Sequence, residues 1–248
     1  MVRKILVTNL SYICCNYTKS SMQKKQFIVL VAICIGFVTV SLGQHKRYAI
    51  KNGIGILGGI TQFDIATDNF VTKSGSGFIG GLTATVDIPH KWYTVSYGMQ
   101  LSENSIEISG RQTAGIATEE MLEYKLMTVQ VAFLFHAKIL KDNLTIDFGP
   151  QLQYNGELEL KDDKQKEYFV NGYDALLAED ISTISQFNAN GVIGASAGIG
   201  NFKLRAMYSY GFTNILNKLN SQDITTTPSS KKFKGNQNML AFALMITF

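Results

Sequence analysis

Leu144-Thr-Ile-Asp-Phe-Gly-Pro-Gln-Leu-Gln-Tyr154 changes character at every residue. Leu144, Ile146, Phe148, Pro150, Leu152 and Tyr154 share one face of an extended chain. Thr145, Asp147, Gly149, Gln151 and Gln153 share the other. A period of two is the mark of a strand, since a helix repeats every 3.6 residues. The segment Phe202 to Thr213 does the same: Phe202, Leu204, Ala206, Tyr208, Tyr210 and Phe212 oppose Lys203, Arg205, Met207, Ser209, Gly211 and Thr213. So does the stretch Asn238 to Phe248, with Leu240, Phe242, Leu244, Ile246 and Phe248 on one face.

Working outward, strands are predicted near 50–63, 76–88, 92–103, 122–140, 144–156, 186–200, 202–214 and 237–248, eight in all. Most are about ten residues or longer, where strands of soluble proteins run to five or six. Ten tilted residues is what a bilayer-crossing strand needs. The connections alternate in length. Pro89-His90-Lys91, Lys141-Asp142-Asn143 and Gly200-Asn201 are tight turns, whereas 64–75, 104–121, 157–185 and 215–236 read as long polar loops. Short turns at one end and long loops at the other are the plan of an outer-membrane barrel, with an even strand number and the turns on the periplasmic side.

Facing follows from composition. One face of each strand is Leu, Ile, Val, Phe, Tyr and Ala; the other is mostly Gly, Thr, Ser, Gln and Asn. A soluble barrel would put the apolar face inside and Lys and Glu outside. Here the small polar face suits a lumen and the apolar face suits lipid. Trp92, Tyr93, Tyr124, Tyr154, Tyr210 and Phe248 fall toward strand ends, as interfacial girdles require. The expected fold is all-β: an eight-stranded antiparallel up-and-down transmembrane β-barrel over residues 44–248.

A leader precedes it. Lys24 and Lys25 stand before an apolar run from Phe27 to Val40, followed by Ser41, Leu42, Gly43 and Gln44. That is a signal peptide over 22–43, with cleavage after Gly43. The run rises only about 21 Å as a helix, short of the ~30 Å hydrocarbon core. Met22 is the natural start, so 1–21 reads as a mis-assigned extension. Gln44 rather than Cys follows the cleavage site, which argues against a lipid anchor. Cys14, Cys15 and Cys34 all lie in the leader, so the mature chain has no disulfide and no Cys-based metal site. The formal charge of +4 also comes from the leader. Residues 44–248 carry 18 basic against 19 acidic residues, which leaves no nucleic-acid footprint.

The segments Asp147-Phe-Gly-Pro-Gln-Leu-Gln-Tyr154 and Gly198-Ile-Gly-Asn-Phe-Lys-Leu-Arg-Ala-Met-Tyr-Ser-Tyr-Gly-Phe-Thr-Asn-Ile215 resemble the PorT-like outer-membrane β-barrel family of Bacteroidota. The Ser-Leu-Gly-Gln end of the leader suits that group. The resemblance spans the mature chain, and its motifs are structural. It implies the Gram-negative outer membrane as location, and a link to type IX secretion through the family's namesake. The terminal Phe248, on an alternating strand, is assigned as the signal read by the barrel assembly machinery.

Motifs that carry chemistry are few. Gly53-Ile-Gly55-Ile-Leu-Gly58 matches the dinucleotide fingerprint in letters, but Gly59-Ile-Thr-Gln-Phe-Asp64 continues it as strand where a helix is required. His45 and His90 have no ligand spacing, so neither a metal nor another cofactor is expected. His136 lies on the polar face with Thr128 and Gln130. Asp87, Lys138, Asp147, Lys203 and Arg205 are placed on the same face near the turn end. Charges inside a narrow barrel should pair, so the cluster is foremost a register-fixing plug and secondarily a proton-sensitive or ion-binding site. A single His with no serine motif around it does not make an enzyme. Three functions stand at this stage. The first is a non-enzymatic barrel that anchors or assists envelope or secretion machinery. The others are a narrow channel or small-ligand carrier and, last, a lipid-modifying enzyme. In the loops, Lys161 to Glu167 reads as a solvated charge run. Tyr173 to Glu179 is expected to turn helically and set Leu176 and Leu177 on the rim or against a partner, and Thr225 to Lys232 reads as flexible and exposed.

Overall fold

The computed structural model describes residues 50–87, 89–113, 118–222 and 232–248. The leader and most of Thr225 to Lys232 lie outside the described residues. Nine strands occur among them: β1 (Lys51–Thr67), β2 (Thr72–Asp87), β3 (Tyr93–Arg111), β4 (Glu120–Leu140), β5 (Leu144–Leu160), β6 (Phe169–Val170), β7 (Phe187–Ile199), β8 (Phe202–Gly211) and β9 (Gly235–Thr247). All but the two-residue β6 join one antiparallel ring, each beside its neighbour in sequence, and β9 returns to β1. That last seam runs from Gly55 opposite Thr247 to Thr67 opposite Gly235. This is the expected eight-stranded up-and-down barrel. The fingerprint glycines lie inside β1, as strand.

The faces are as composition requires through the middle of the wall. Ile60, Phe78, Leu101, Val131, Leu152, Ile193, Leu204 and Phe242 point outward and are exposed. On β5 the outward apolar run spans Leu144 to Tyr154. Ten steps of about 3.3 Å at a tilt near 40° give a belt about 25 Å tall, the height of the lipid-facing band of outer-membrane barrels. The aromatic pairs Tyr154–Phe187 and Tyr210–Phe212 mark its loop-side edge, and Trp92–Tyr93 marks its turn-side edge. Gly200, at a φ of 60°, makes the β7–β8 turn, where a side chain would be strained.

Toward the loops the strands run on further than predicted. β3 continues from 103 to Arg111, β1 to Thr67 and β5 to Leu160. The stretches 64–75 and 104–121 are therefore largely strand. The reason is an inversion of polarity. On β3 the outward Tyr97, Met99 and Leu101 give way to Glu103, Ser105 and Glu107, while inward Ser102 and Asn104 give way to Ile106 and Ile108. On β4, Glu123 and Lys125 face out and Leu122, Tyr124 and Leu126 face in. On β5 a bulge sets Gly156 and Glu157 opposite Met127 alone. That extra residue turns Leu158 inward and Glu157 and Glu159 outward. The wall thus changes from a membrane pattern to the pattern of a water-soluble barrel. Outward ion pairs join neighbouring strands there: Lys73–Glu107 at 2.9 Å, Lys125–Glu103 at 3.4 Å and Lys161–Glu123 at 2.8 Å.

The inverted interior is sealed by the long connections. Leu176, Ile181 and Ile184 from 161–186 and Ile215, Leu216, Leu219 and Phe233 from 212–234 pack with the strand residues into one apolar head. Tyr124 belongs to it. It is fully buried, and its hydroxyl donates to the Ala178 carbonyl at 2.9 Å. It is therefore not a girdle residue, because it sits on the lumen-facing parity of β4. The expected helical turns do not form over 173–178, which is irregular and carries a bridge at Leu177; a short 3-10 helix begins only at Glu179 and runs to Ser182. Leu176 is buried in the head, while Leu177 bridges to Phe169.

The inversion predicts two opposite outcomes on one strand. Val131→Arg, in the belt, should cost about 2–4 kcal/mol of unfolding free energy in vesicles. Glu123→Gln, above it, should stay within about 0.5 kcal/mol. Urea titration of the folded barrel in lipid reads both.

Candidate functional site

The ladder register builds the polar cluster. One row of cross-strand partners runs Asp87, Thr94, His136, Asp147, Gly194 over β2, β3, β4, β5 and β7. The next runs Lys138, Thr145, Ser196, Arg205, Ala243 over β4, β5, β7, β8 and β9. Antiparallel partners share a face, so each row points into the lumen together.

Asp147 is the centre and is wholly buried. Its Oδ1 meets His136 Nδ1 at 2.7 Å and accepts from Thr145 Oγ1 at 2.6 Å. Its Oδ2 accepts from the Ser196 hydroxyl and from Arg205 Nη2, the latter at 3.3 Å. Arg205 Nε also donates to Ser196 Oγ at 3.2 Å. Nearer the turns, Lys138 Nζ donates to Asp87 at 2.6 Å and lies 2.8 Å from Asp142. Thr94 also donates to Asp87, at 3.1 Å. The Lys138 ammonium holds the Asp142 carboxyl in its turn below the ordinary carboxylate range. Five of the six predicted residues thus stand in two tied groups, around Asp147 and around Lys138. Lys203 lines the adjoining cavity and forms no ion pair within 4 Å among the described residues.

Ser96, Thr145 and Ser196 complete the cluster and were not singled out in the sequence. The available signal was parity alone, because all three are lumen-facing positions of ordinary residue type. Ser96 changes the chemistry most. Its Oγ lies 2.7 Å from His136 Nε2. A carboxylate only accepts, so a neutral His136 carries its proton on Nδ1 and takes the Ser96 hydroxyl on Nε2. The order Ser96, His136, Asp147 is that of a hydrolytic triad. Access distinguishes the two. The cavity at this end is about 20 Å³, lined by His136, Thr85, Thr94, Lys203 and Arg205 among others, and Ser96 is not one of its walls. It holds about one water and no ester. The arrangement clamps five strands, β3, β4, β5, β7 and β8, by side-chain hydrogen bonds.

Above the cluster, Leu134, Val192, Met207 and Ala132 form a thin apolar layer. A layer of amides follows. Gln153 and Gln237 exchange reciprocal bonds at 2.9 Å, Asn190 donates to Gln151 and Gln153, and Gln151 donates to Gln130. A void of about 10 Å³ separates these two layers. Among the described residues no group of three His, Cys, Asp or Glu side chains is placed to hold a metal. At the chain end, Phe248 exchanges backbone bonds with Ile54, its N–H donating at 2.8 Å and its carbonyl accepting at 3.3 Å.

Asp147→Ala should lower the unfolding free energy by about 3–5 kcal/mol, because Arg205 is left buried without its partner. Asp147→Leu combined with Arg205→Met should recover most of that loss. A loss under about 1 kcal/mol in the single variant, measured by urea unfolding, would refute the clamp.

The family model described as outer membrane protein beta-barrel domain matches residues 43–217. No curated protein matches the chain. Among solved structures, Neisserial surface protein A (NspA) is 10% identical, with a TM-score of 0.44, over 81% of this chain and 99% of that one. Ail, the attachment invasion locus protein of Yersinia pestis, is 13% identical, with a TM-score of 0.40, over 80% and 99%. The translocator domain of the autotransporter NalP from Neisseria meningitidis is 10% identical, with a TM-score of 0.24, over 89% and 96%.

Proposed function

This chain belongs to the outer membrane protein β-barrel domain family, and from that premise we propose that it is a non-enzymatic membrane anchor for cell-envelope machinery. The observation that carries this reading is the closed interior. Charged, apolar and amide layers fill the lumen, and an apolar head covers its loop end. A solute path would need continuous polar space, and the cavity beside the charged cluster and the one between the apolar and amide layers are of water size. The head supports the anchor reading from the other side. Its connections are built on buried Leu, Ile and Phe, which gives a shaped surface to a partner. The PorT-like segments direct the choice of partner toward type IX secretion components. A cleaved leader over 22–43 and recognition of Phe248 by the barrel assembly machinery belong to the same proposal.

Tagged purification from the outer-membrane fraction in mild detergent, after cross-linking, should return envelope proteins in fixed ratio to the barrel. In planar bilayers the purified chain should show no unitary conductance steps. Regular steps that disappear in Gln153→Ala would overturn the anchor reading in favour of a channel.

A further inference from the structure

The barrel is electrically polar along its axis. At the turn end the described residues carry Lys51, Lys91, Lys138, Lys141, Lys203 and Arg205 against Asp87, Asp142 and Asp147, a net charge of +3. At the loop end they carry nine basic against fifteen acidic residues, a net charge of −6. All three turn-end acids are already engaged: Asp87 and Asp142 by Lys138, and Asp147 by Arg205. The uncompensated charge therefore sits on the exposed lysines 51, 91 and 141 and on the half-buried Lys203.

Two of these lysines lie beside a marked membrane edge. Lys91 directly precedes Trp92, which is 67% exposed, and Lys141 directly follows Leu140, which is 63% exposed. The Lys138 N–H donates to the Trp92 carbonyl at 2.8 Å, so the β2–β3 and β4–β5 turns stand side by side. Exposed Trp and Leu at the end of the lipid belt fix the hydrocarbon boundary there. The ammonium groups then fall one residue beyond it, at headgroup depth, on side chains long enough to reach along the surface.

We propose that the adjoining β2–β3 and β4–β5 turns form a binding site for an anionic phospholipid headgroup, with Lys91 and Lys141 on its phosphate and Trp92 against its upper acyl chain. The proposal rests on the membrane-barrel fold and is independent of any envelope partner. It commits to lipid as the source of the phosphate, because the lysines stand next to apolar side chains that only a lipid also covers. Attraction of about 1 kcal/mol per lysine near an anionic surface makes two lysines worth roughly a thirtyfold preference.

The chain provides its own reporter, since Trp92 is its only tryptophan. The folded protein is reconstituted in phosphatidylcholine vesicles containing a small fraction of spin-labelled lipid, either phosphatidylglycerol or phosphatidylcholine. At equal labelled fraction, the phosphatidylglycerol probe should quench Trp92 several-fold more effectively. The excess should vanish in Lys91→Gln/Lys141→Gln and at high salt, and survive millimolar glycerol phosphate. Equal quenching by the two probes in the native chain would overturn the proposal. So would an excess unchanged in the double variant, or one abolished by soluble glycerol phosphate. Heat-dependent gel mobility of each sample separates these outcomes from a failure of the barrel itself: only samples that shift on boiling are folded.

Discussion

A peptide group in hydrocarbon has no water to bond, so every N–H and C=O in the belt must find another strand. The seam between β1 and β9 is the constraint on which the rest depends. Without the pairing from Gly55–Thr247 to Thr67–Gly235, two edges would lie bare in lipid. Closure around eight strands leaves an interior only wide enough for side chains. The lumen then has to be packed, and the same closure that satisfies the backbone creates the demand for a polar interior core. Asp147 answers that demand at one end. A carboxylate with no exposed surface is tolerable only when surrounded by donors, and β4, β5, β7 and β8 each supply one. The cost of burying it is turned into register, since slipping any one strand by a residue would point its donor into the lipid.

The second organising feature is that one strand obeys two solvents. Between Leu101 and Ile106 on β3, and again between Leu126 and Met127 on β4, the apolar residues exchange faces while the pairing of these two strands stays in register. Between β3 and β4 only the side chains register the change, while the flanking ladders shift there, β2 against β3 between Ser74 and Gly77 and β4 against β5 between Leu126 and Thr128. Below it, exposure of Leu and Val is stabilising because the outside is hydrocarbon. Above it, the outside is water, and the ordinary rule of burial returns. The bulge at Gly156 and Glu157 shows that the change is enforced, because it flips the parity of β5 at the same height.

These two features decide what could be read from the sequence. Period-two alternation with apolar residues on one constant face is unambiguous over the belt, so the eight strands, the three tight turns and the facing of Leu144 to Tyr154 were legible. Ser105-Ile-Glu-Ile-Ser109 alternates equally well, but with the opposite face apolar. Judged by a lipid criterion it reads as polar loop, so 104–111 falls outside the predicted β3. Tyr124 reads as a girdle residue for the same reason. Asp147, His136 and Arg205 were legible as a cluster because charge on a lumen face is rare. Ser96 and Ser196 were not, because a serine there is unremarkable until the register sets it beside a histidine or a carboxylate.

The Ser96–His136–Asp147 chain shows how far geometry alone carries a functional argument. Hydrogen-bond order and distance match those of a catalytic triad, yet a nucleophile acts only where a substrate carbon can approach it. In this barrel the chemistry of access is set by the layers. The apolar layer of Leu134, Val192 and Met207 bars the path from the loop end, and the Lys138 group with its two aspartates narrows the path from the turns. A histidine held between a serine and a carboxylate in such a place binds three strands by directional bonds. At its two ends the barrel meets the outside with different surfaces, the packed acidic head and the basic turns.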